Sequence, residues 1–205
     1  MDKLIGRIVR ALDESGARDN TLIVVTADNG TGGDGKSQAT EKGARVPLII
    51  NGKALVKPRG ATRALADLSD IFPTLMDFAG VRVPATHMVD GHSLAPFLRG
   101  ERDTTREWIF AYQADRRILR TERWLLEDNS PLHYGHLFDC GTGREGNGYV
   151  DVTTSNHPEV RAARNYFNRL LEKLPAPRRD HEGPPNENKL SPPDATRGQS
   201  NNKKR

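Results

Sequence analysis

Asp28 and Asn29 stand side by side directly after the apolar run Leu22–Thr26, and a carboxylate next to an amide offers adjacent oxygens suited to a hard cation, Ca²⁺ or Mg²⁺. Lys36, a few residues on, would set a fixed positive charge against an oxyanion bound to that cation. The same stretch permits a second chemistry. Gly30, Gly35, Lys36 and Ser37 satisfy the phosphate-loop pattern G-x-x-x-x-G-K-[ST] after an apolar strand. That motif needs a substantial helix directly after Ser37, whose N-terminus supplies part of the phosphate field. Gly43 and Pro47 would interrupt such a helix, and the nearest later strand with an acidic end for a Mg²⁺-bound water is WLLED. A cation-and-oxyanion site is therefore favoured over a P-loop nucleotide site. On residues alone, a strand-end turn with a solvated lysine still competes with both.

The other reactive side chains carry less. Cys140 is the only cysteine, which excludes an intrachain disulfide and a Cys-rich zinc site. Three residues separate it from Arg144, not the five of a protein phosphatase loop, so a partly buried structural thiol is expected. His133 and His136 lie near Pro131 and Gly135 and read as solvated loop residues; His87, His157 and His181 follow no pattern.

The elements that must position these residues follow from periodicity. Leu4, Ile5, Ile8, Val9 and Leu12 recur at helical spacing up to Gly16, predicting an amphipathic helix with one buried stripe. TLIVVTAD reads as a central parallel strand buried on both faces, NGTGGDGKSQATEKGA as a loop leaving its C-terminal end, and VPLIING as a second strand. Ligands in such sheets bind where loops leave strand ends. Leu65, Leu68, Ile71, Phe72, Leu75, Met76 and Phe78 predict a helix that begins just before Pro73 and ends at Gly80. Beyond DGHSLAPFLRGE, a turn with a short helix, the runs WIFAY, RRILRT, RWLLE and HLFD predict an antiparallel sheet, and Val160, Ala163, Phe167, Leu170 and Leu171 a closing helix.

With 205 residues, 35% hydrophobic and 28% charged, the chain suits one ordinary domain and some extra, with no apolar window long enough to span a membrane. The net charge of +4 would invite a nucleic-acid partner, but residues 175–205 hold seven Lys or Arg against four Asp or Glu. Nucleic acid is therefore not expected. That tail has almost no large apolar residue and should be disordered: a solvated tail, or else an arm for phosphates or a membrane surface.

Read together, DNTLIVVTADNG, GKSQATEKGARVPLII, DLSDIFPTLMDFAGV and DGHSLAPFLRGE occur in the order and spacing of the second half of the sulfatase family, within the alkaline-phosphatase-like superfamily. The sequence resembles that family strongly over residues 2–100 and more weakly to Leu174. The resemblance implies a partial alkaline-phosphatase-like α/β core over residues 1–107, a small antiparallel α+β subdomain over 108–174 and the tail over 175–205. It implies that Asp28 and Asn29 are metal ligands and that Lys36 contacts the sulfate. It matches Glu41, Arg45 and Pro47 to an E-x-x-x-R-x-P signature, with Glu and Arg organising the loop. His92 falls in a segment that is structural in the family. Lys42 departs from the usual glycine, so a different turn is expected there.

Such enzymes hydrolyse sulfate esters with a formylglycine made from cysteine or serine in a C-x-P-S-R type motif, which this sequence lacks. The resemblance assigns two further acidic ligands, a lysine and a histidine to the family's first half. The expectation is a sulfatase-like hydrolase fragment, inactive alone, with Ca²⁺ or Mg²⁺ and formylglycine belonging to a complete enzyme. Such a fragment would expose a sheet edge open to association, as from a truncated gene model or an internal start. A phosphate-ester or phosphonate hydrolase of the same fold, and a non-catalytic protein binding an anionic partner, are the alternatives. The substrate stays open among sulfated glycans, aryl sulfates and small esters. Compartment is unspecified, although relatives are often periplasmic or secreted.

Overall fold

In a computed structural model, residues 1–30, 32–33, 35–130, 133–143 and 148–174 are described. The tail expected to be disordered, with Arg144, Pro131 and His181, lies outside them. The β-branched run forms β1, Ile23–Thr26, because two substituents on Cβ crowd a helix and fit a pleated surface. Its pairing corrects the expectation. β1 is antiparallel to β2, Leu48–Asn51, in a register from Ile23 opposite Asn51 to Thr26 opposite Leu48. Among the described residues this sheet has two strands, so β1 keeps an unpaired edge and Ile23, Val24 and Val25 are only half-buried.

Helix α1, Asp2–Glu14, forms as its spacing predicts, but the buried stripe does not. No residue of α1 is buried, and Leu4 and Ile8 are 60% and 59% exposed, because none of the described elements packs over that face. Among the described residues no helix is long and apolar enough to cross a membrane.

The middle of the chain is organised around one carboxylate. Asp67 caps a 3₁₀ turn, Leu68–Asp70, accepting from Ser69 N at 2.9 Å, while Asp70 Oδ2 accepts from Asp67 N at 2.8 Å. The turn runs into α3, Ile71–Phe78, where Pro73 is tolerated inside the first turn and Gly80, at φ 68°, closes the end. Asp70 has no exposed surface. Its Oδ1 accepts from His92 N at 2.7 Å and pairs with the Arg106 guanidinium, which also lies 3.0 Å from His92 Nδ1. Thr74 Oγ1 donates to Asp70 O at 2.6 Å and accepts from Leu94 N at 2.8 Å. A Cβ on Gly91 would sit 1.9 Å from Ser69 O, so only glycine permits this approach. The stitched segments present α4, Ala95–Leu98; its Phe97 and Leu98, with Leu94 at its N-cap, pack with Leu48, Ile50 and Val56 beneath β2.

The closing part is a five-stranded antiparallel meander in the order β3, Trp108–Gln113; β4, Arg116–Thr121; β5, Trp124–Asn129; β6, His136–Asp139; β7, Val150–Asp151. Strand alternation gives it two faces. Leu119, Leu126 and Leu137 pack against Val160 and Phe167 of α5, Pro158–Lys173, while Ile118, Leu125 and Cys140 form a second cluster on the opposite face with Phe138 and Tyr149. Arg123 braces the outside, reaching Asp139 at 2.8 Å and Glu159 of α5 at 3.1 Å.

Replacing Asp70 with Ala strands the Arg106 charge and two backbone N–H groups inside the protein. The expected loss is about 3–5 kcal/mol, read from urea unfolding midpoints; a loss below 1 kcal/mol would show that the carboxylate is not the hub described.

Candidate functional site

β1 delivers Asp28 and Asn29 to its C-terminal end, where the backbone turns into a loop built on close contacts between main-chain segments. Gly30 N donates to Gly43 O at 2.8 Å, and a Cβ on Gly30 would lie 1.7 Å from Lys42 O. A Cβ on Gly43 would lie 2.2 Å from Gln38 O and 2.4 Å from Gly35 O. Three stretches of backbone therefore stack: the strand exit, a single-turn helix α2, Glu41–Ala44, and the tight turn around Lys36 and Ser37, closed by Gln38 N donating to Gly35 O at 3.0 Å. Ser37 takes a left-handed conformation, φ 64°, at the corner of that turn. No substantial helix starts after Ser37, so the P-loop reading lacks the element its chemistry requires. Lys42 sits inside α2 in ordinary helical conformation.

The Asn29 amide bears on cation binding. Its Nδ2 donates to Gly30 O at 2.7 Å. A carbonyl can only accept, so the amide nitrogen is committed there and Oδ1 is left as a hard donor on the residue next to Asp28, whose own side chain is exposed. These two residues fit a Ca²⁺ or Mg²⁺ ion as part of a ligand set, six to eight oxygens being usual for Ca²⁺. Among the described residues there is no group of three or more His, Cys, Asp or Glu that could hold a metal. His133 and His136 are exposed, and His136 Nδ1 lies 3.7 Å from Asp151.

Asp28, Glu41 and Arg45 line one cavity of about 510 Å³ between β2, the 62–68 segment and the inner face of the meander. Its floor is apolar, with Ile109, Ile118 and Leu125. Lys36 and Asn29 are not part of that lining; Lys36 is exposed on the loop and Pro47 is exposed before β2. Arg45 follows α2, its N–H donating to Glu41 O at 2.8 Å. Glu41 reaches across to the meander, 3.3 Å from Arg120 Nε, and Arg120 lies over the Tyr149 ring at 5.6 Å. Burial, with the Glu41 carboxylate beside it, pushes the Tyr149 hydroxyl up from its ordinary value.

Two partners of the loop were not legible as such. Glu127 Oε1 accepts from Glu41 N at 2.5 Å, and Asp128 N donates to Ala39 O at 3.0 Å. These are the acidic residues of WLLED; the Glu127 carboxylate and the Asp128 N–H meet loop backbone. They lie 86 and 89 residues beyond the groups they bind, and no local periodicity signals a pairing at that range. Cys140 is fully buried, and burial pushes its thiol up to about 11, the opposite of a nucleophile's environment.

The sulfatase family model matches residues 1–81. N-acetylglucosamine-6-O-sulfatase of Bacteroides thetaiotaomicron is 32% identical over 151 residues, which cover 68% of this chain and 27% of that protein. Human arylsulfatase D is 30% identical over 155 residues, covering 66% and 26%. Among solved structures, a phosphonate monoester hydrolase from Silicibacter pomeroyi superposes with a TM-score of 0.64 at 29% identity, covering 84% of this chain and 38% of that one. The chain thus spans about a quarter of the length of the curated relatives it matches.

Gly43→Ala should open the stacked loop and cost about 1–3 kcal/mol, with faster amide exchange over residues 35–44. Gly32→Ala, where a Cβ meets nothing within 4 Å, should change stability by less than about 0.5 kcal/mol. Equal effects of the two would contradict the stacking. At pH 8 only about one Cys140 in a thousand is thiolate, so iodoacetamide should leave the native thiol unmodified and label it once urea unfolds the chain; fast native labelling would refute the buried assignment.

Proposed function

The chain belongs to the sulfatase family over the stretch the family model matches, residues 1–81, and from that premise we propose that it supplies the cation- and sulfate-facing part of a sulfate-ester hydrolase. The observation that carries this reading is the Asn29 amide at the strand end, next to Asp28 in the chain, its nitrogen held by Gly30 O at 2.7 Å so that its oxygen is left as a ligand. In this reading Asp28 and Asn29 hold Ca²⁺ or Mg²⁺ together with ligands from elsewhere. Such an ion would draw charge from the oxygens of a bound ester.

Lys36 then binds the sulfate group as a fixed positive charge. It contributes to rate to the extent that its interaction strengthens as negative charge grows on the sulfate oxygens in the transition state. Glu41, Arg45 and Pro47 shape the loop. The C-x-P-S-R type motif from which sulfatases make formylglycine is absent from these 205 residues, so the nucleophile of the complete reaction comes from other polypeptide and this chain alone does not turn over. Sulfated glycans are the favoured substrate class, because the bacterial relative at 32% identity is an N-acetylglucosamine-6-O-sulfatase. A phosphonate or phosphate ester is the second reading, supported by the 29% identical phosphonate monoester hydrolase.

Titrating the isotopically labelled chain with CaCl₂ should shift the Asp28 and Asn29 resonances with a Kd of about 10⁻⁴–10⁻³ M, as a short ligand set implies. Asp28→Ala should abolish that response, and Lys36→Ala should weaken inorganic sulfate binding without moving the Ca²⁺ curve. Saturation unchanged by Asp28→Ala would overturn the assignment. Tighter binding of methylphosphonate than of sulfate at Lys36 would favour the second reading.

A further inference from the structure

The helix that follows the Lys36 turn begins without a cap of its own. Thr40 occupies the N-cap position of α2, yet its side chain caps no backbone N–H, and its Oγ1 is buried with no hydrogen-bond partner among the described residues. The first N–H of α2, Glu41 N, donates instead to Glu127 Oε1 at 2.5 Å, from β5 of the meander. One residue on, Asp128 N donates to Ala39 O at 3.0 Å.

This double contact depends on an irregularity of the sheet. Arg117 faces Asn129 and Leu119 faces Leu126, so β5 carries one extra residue between the two pairs; Asp128, at φ 54°, lies inside the bulge. A bulge re-aims side chains and releases backbone groups from the ladder. Here it turns the Glu127 carboxylate and the Asp128 N–H toward the loop. A Cβ on Gly135 would come within 2.3 Å of Glu127 O, so β5 is backed closely from its other side.

We infer that Glu127 is a positioning residue for the Lys36 loop: a carboxylate supplied by the C-terminal sheet replaces the missing cap of α2 and, through Gly43, fixes the 35–38 turn. The inference rests on the proposed reading only for what Lys36 binds. The groups facing Glu127 are Glu41 of α2, Arg120 of β4 through its pair with Glu41, His136 directly opposite on β6, and Asp128 beside it, paired with Arg116 at 3.2 Å. Burial, then the nearby Glu41 and Asp128 carboxylates, raise the Glu127 pKa, partly offset by the Glu41 N–H and by His136.

The sign has a useful consequence. A carboxyl whose pKa is higher folded than unfolded costs stability while ionised, and that cost is relieved as pH falls through the folded value. The charge-assisted cap weakens over the same interval, because a neutral acceptor binds an N–H less strongly than a carboxylate does. The loop therefore loosens at a pH where this group does not destabilise the rest of the fold.

The test is amide exchange on the full chain between pH 4 and 7, expressed as protection factors. Glu127→Ala should lower protection at Glu41 and over residues 35–43 by about tenfold while α5 is unchanged. Glu127→Gln, a neutral acceptor of the same shape, should lie between wild type and Glu127→Ala, near the level that wild type reaches once Glu127 is protonated. Wild-type loop protection should fall with pH above the ordinary glutamate range, and Glu127→Gln should lose that dependence. Unchanged loop protection in Glu127→Ala, or a pH dependence that survives in Glu127→Gln, would overturn the inference; the Gln variant decides alone if the Ala variant does not fold. In parallel, inorganic sulfate should shift the Lys36 amide in wild type more than in Glu127→Ala. If wild type shows no sulfate response, the functional reading fails while the exchange data still judge Glu127.

Discussion

A carboxylate with no exposed surface holds the two parts of this molecule in relation. Asp70 accepts two backbone N–H groups, from Asp67 and His92, and pairs with Arg106, which stands two residues before β3. One carboxylate thereby ties the α3 turn, the segment leading to α4 and the entrance of the meander. A buried charge is costly unless it is paired and hydrogen-bonded, and here two backbone N–H groups and the Arg106 guanidinium, from three separate stretches of sequence, supply partners to both carboxylate oxygens. If the meander shifted on the core, Arg106 would leave Asp70 and the contacts from β5 to the site loop would move with it.

That dependence explains what sequence reading could reach. The strand that leads to Asp28, the helix that tolerates Pro73, the first four strands of the meander and α5 all announce themselves through local periodicity, because each is decided by its own residues, whereas the two-residue β7 does not. The pair Asp28–Asn29 and the sulfatase-like order of segments were equally visible. The pairing of β1 was not, because a β-branched run looks the same whether it is covered on both faces or, as here, paired on one edge and half-exposed. α1 shows the same limit, since an apolar stripe declares a preference for burial without saying what covers it.

The loop was legible in its glycines and illegible in its partners. Gly30 reads as part of a phosphate-loop pattern and Gly43 as a helix breaker, but in the fold their role is close approach, where a Cβ would collide with Lys42 O, Gln38 O or Gly35 O. Glu127 and Asp128 read as the end of an ordinary strand. Their function depends on one extra residue in β5, a register event that no hydrophobic pattern reports.

The stacked loop also separates shape from chemistry. Its path is set by main-chain contacts at Gly30, Gly35, Gln38 and Gly43 and by tethers at Ala39 and Glu41, whereas the side chains of Lys36, Ser37, Gln38 and Lys42 are exposed. Of these, substitutions at Lys36 and Gln38 leave the main-chain bonds of the scaffold in place, whereas Ser37 is tied to a left-handed backbone, φ 64°. Such a frame is evolvable: a lineage can exchange the outward side chains without first having to solve the folding of the loop again.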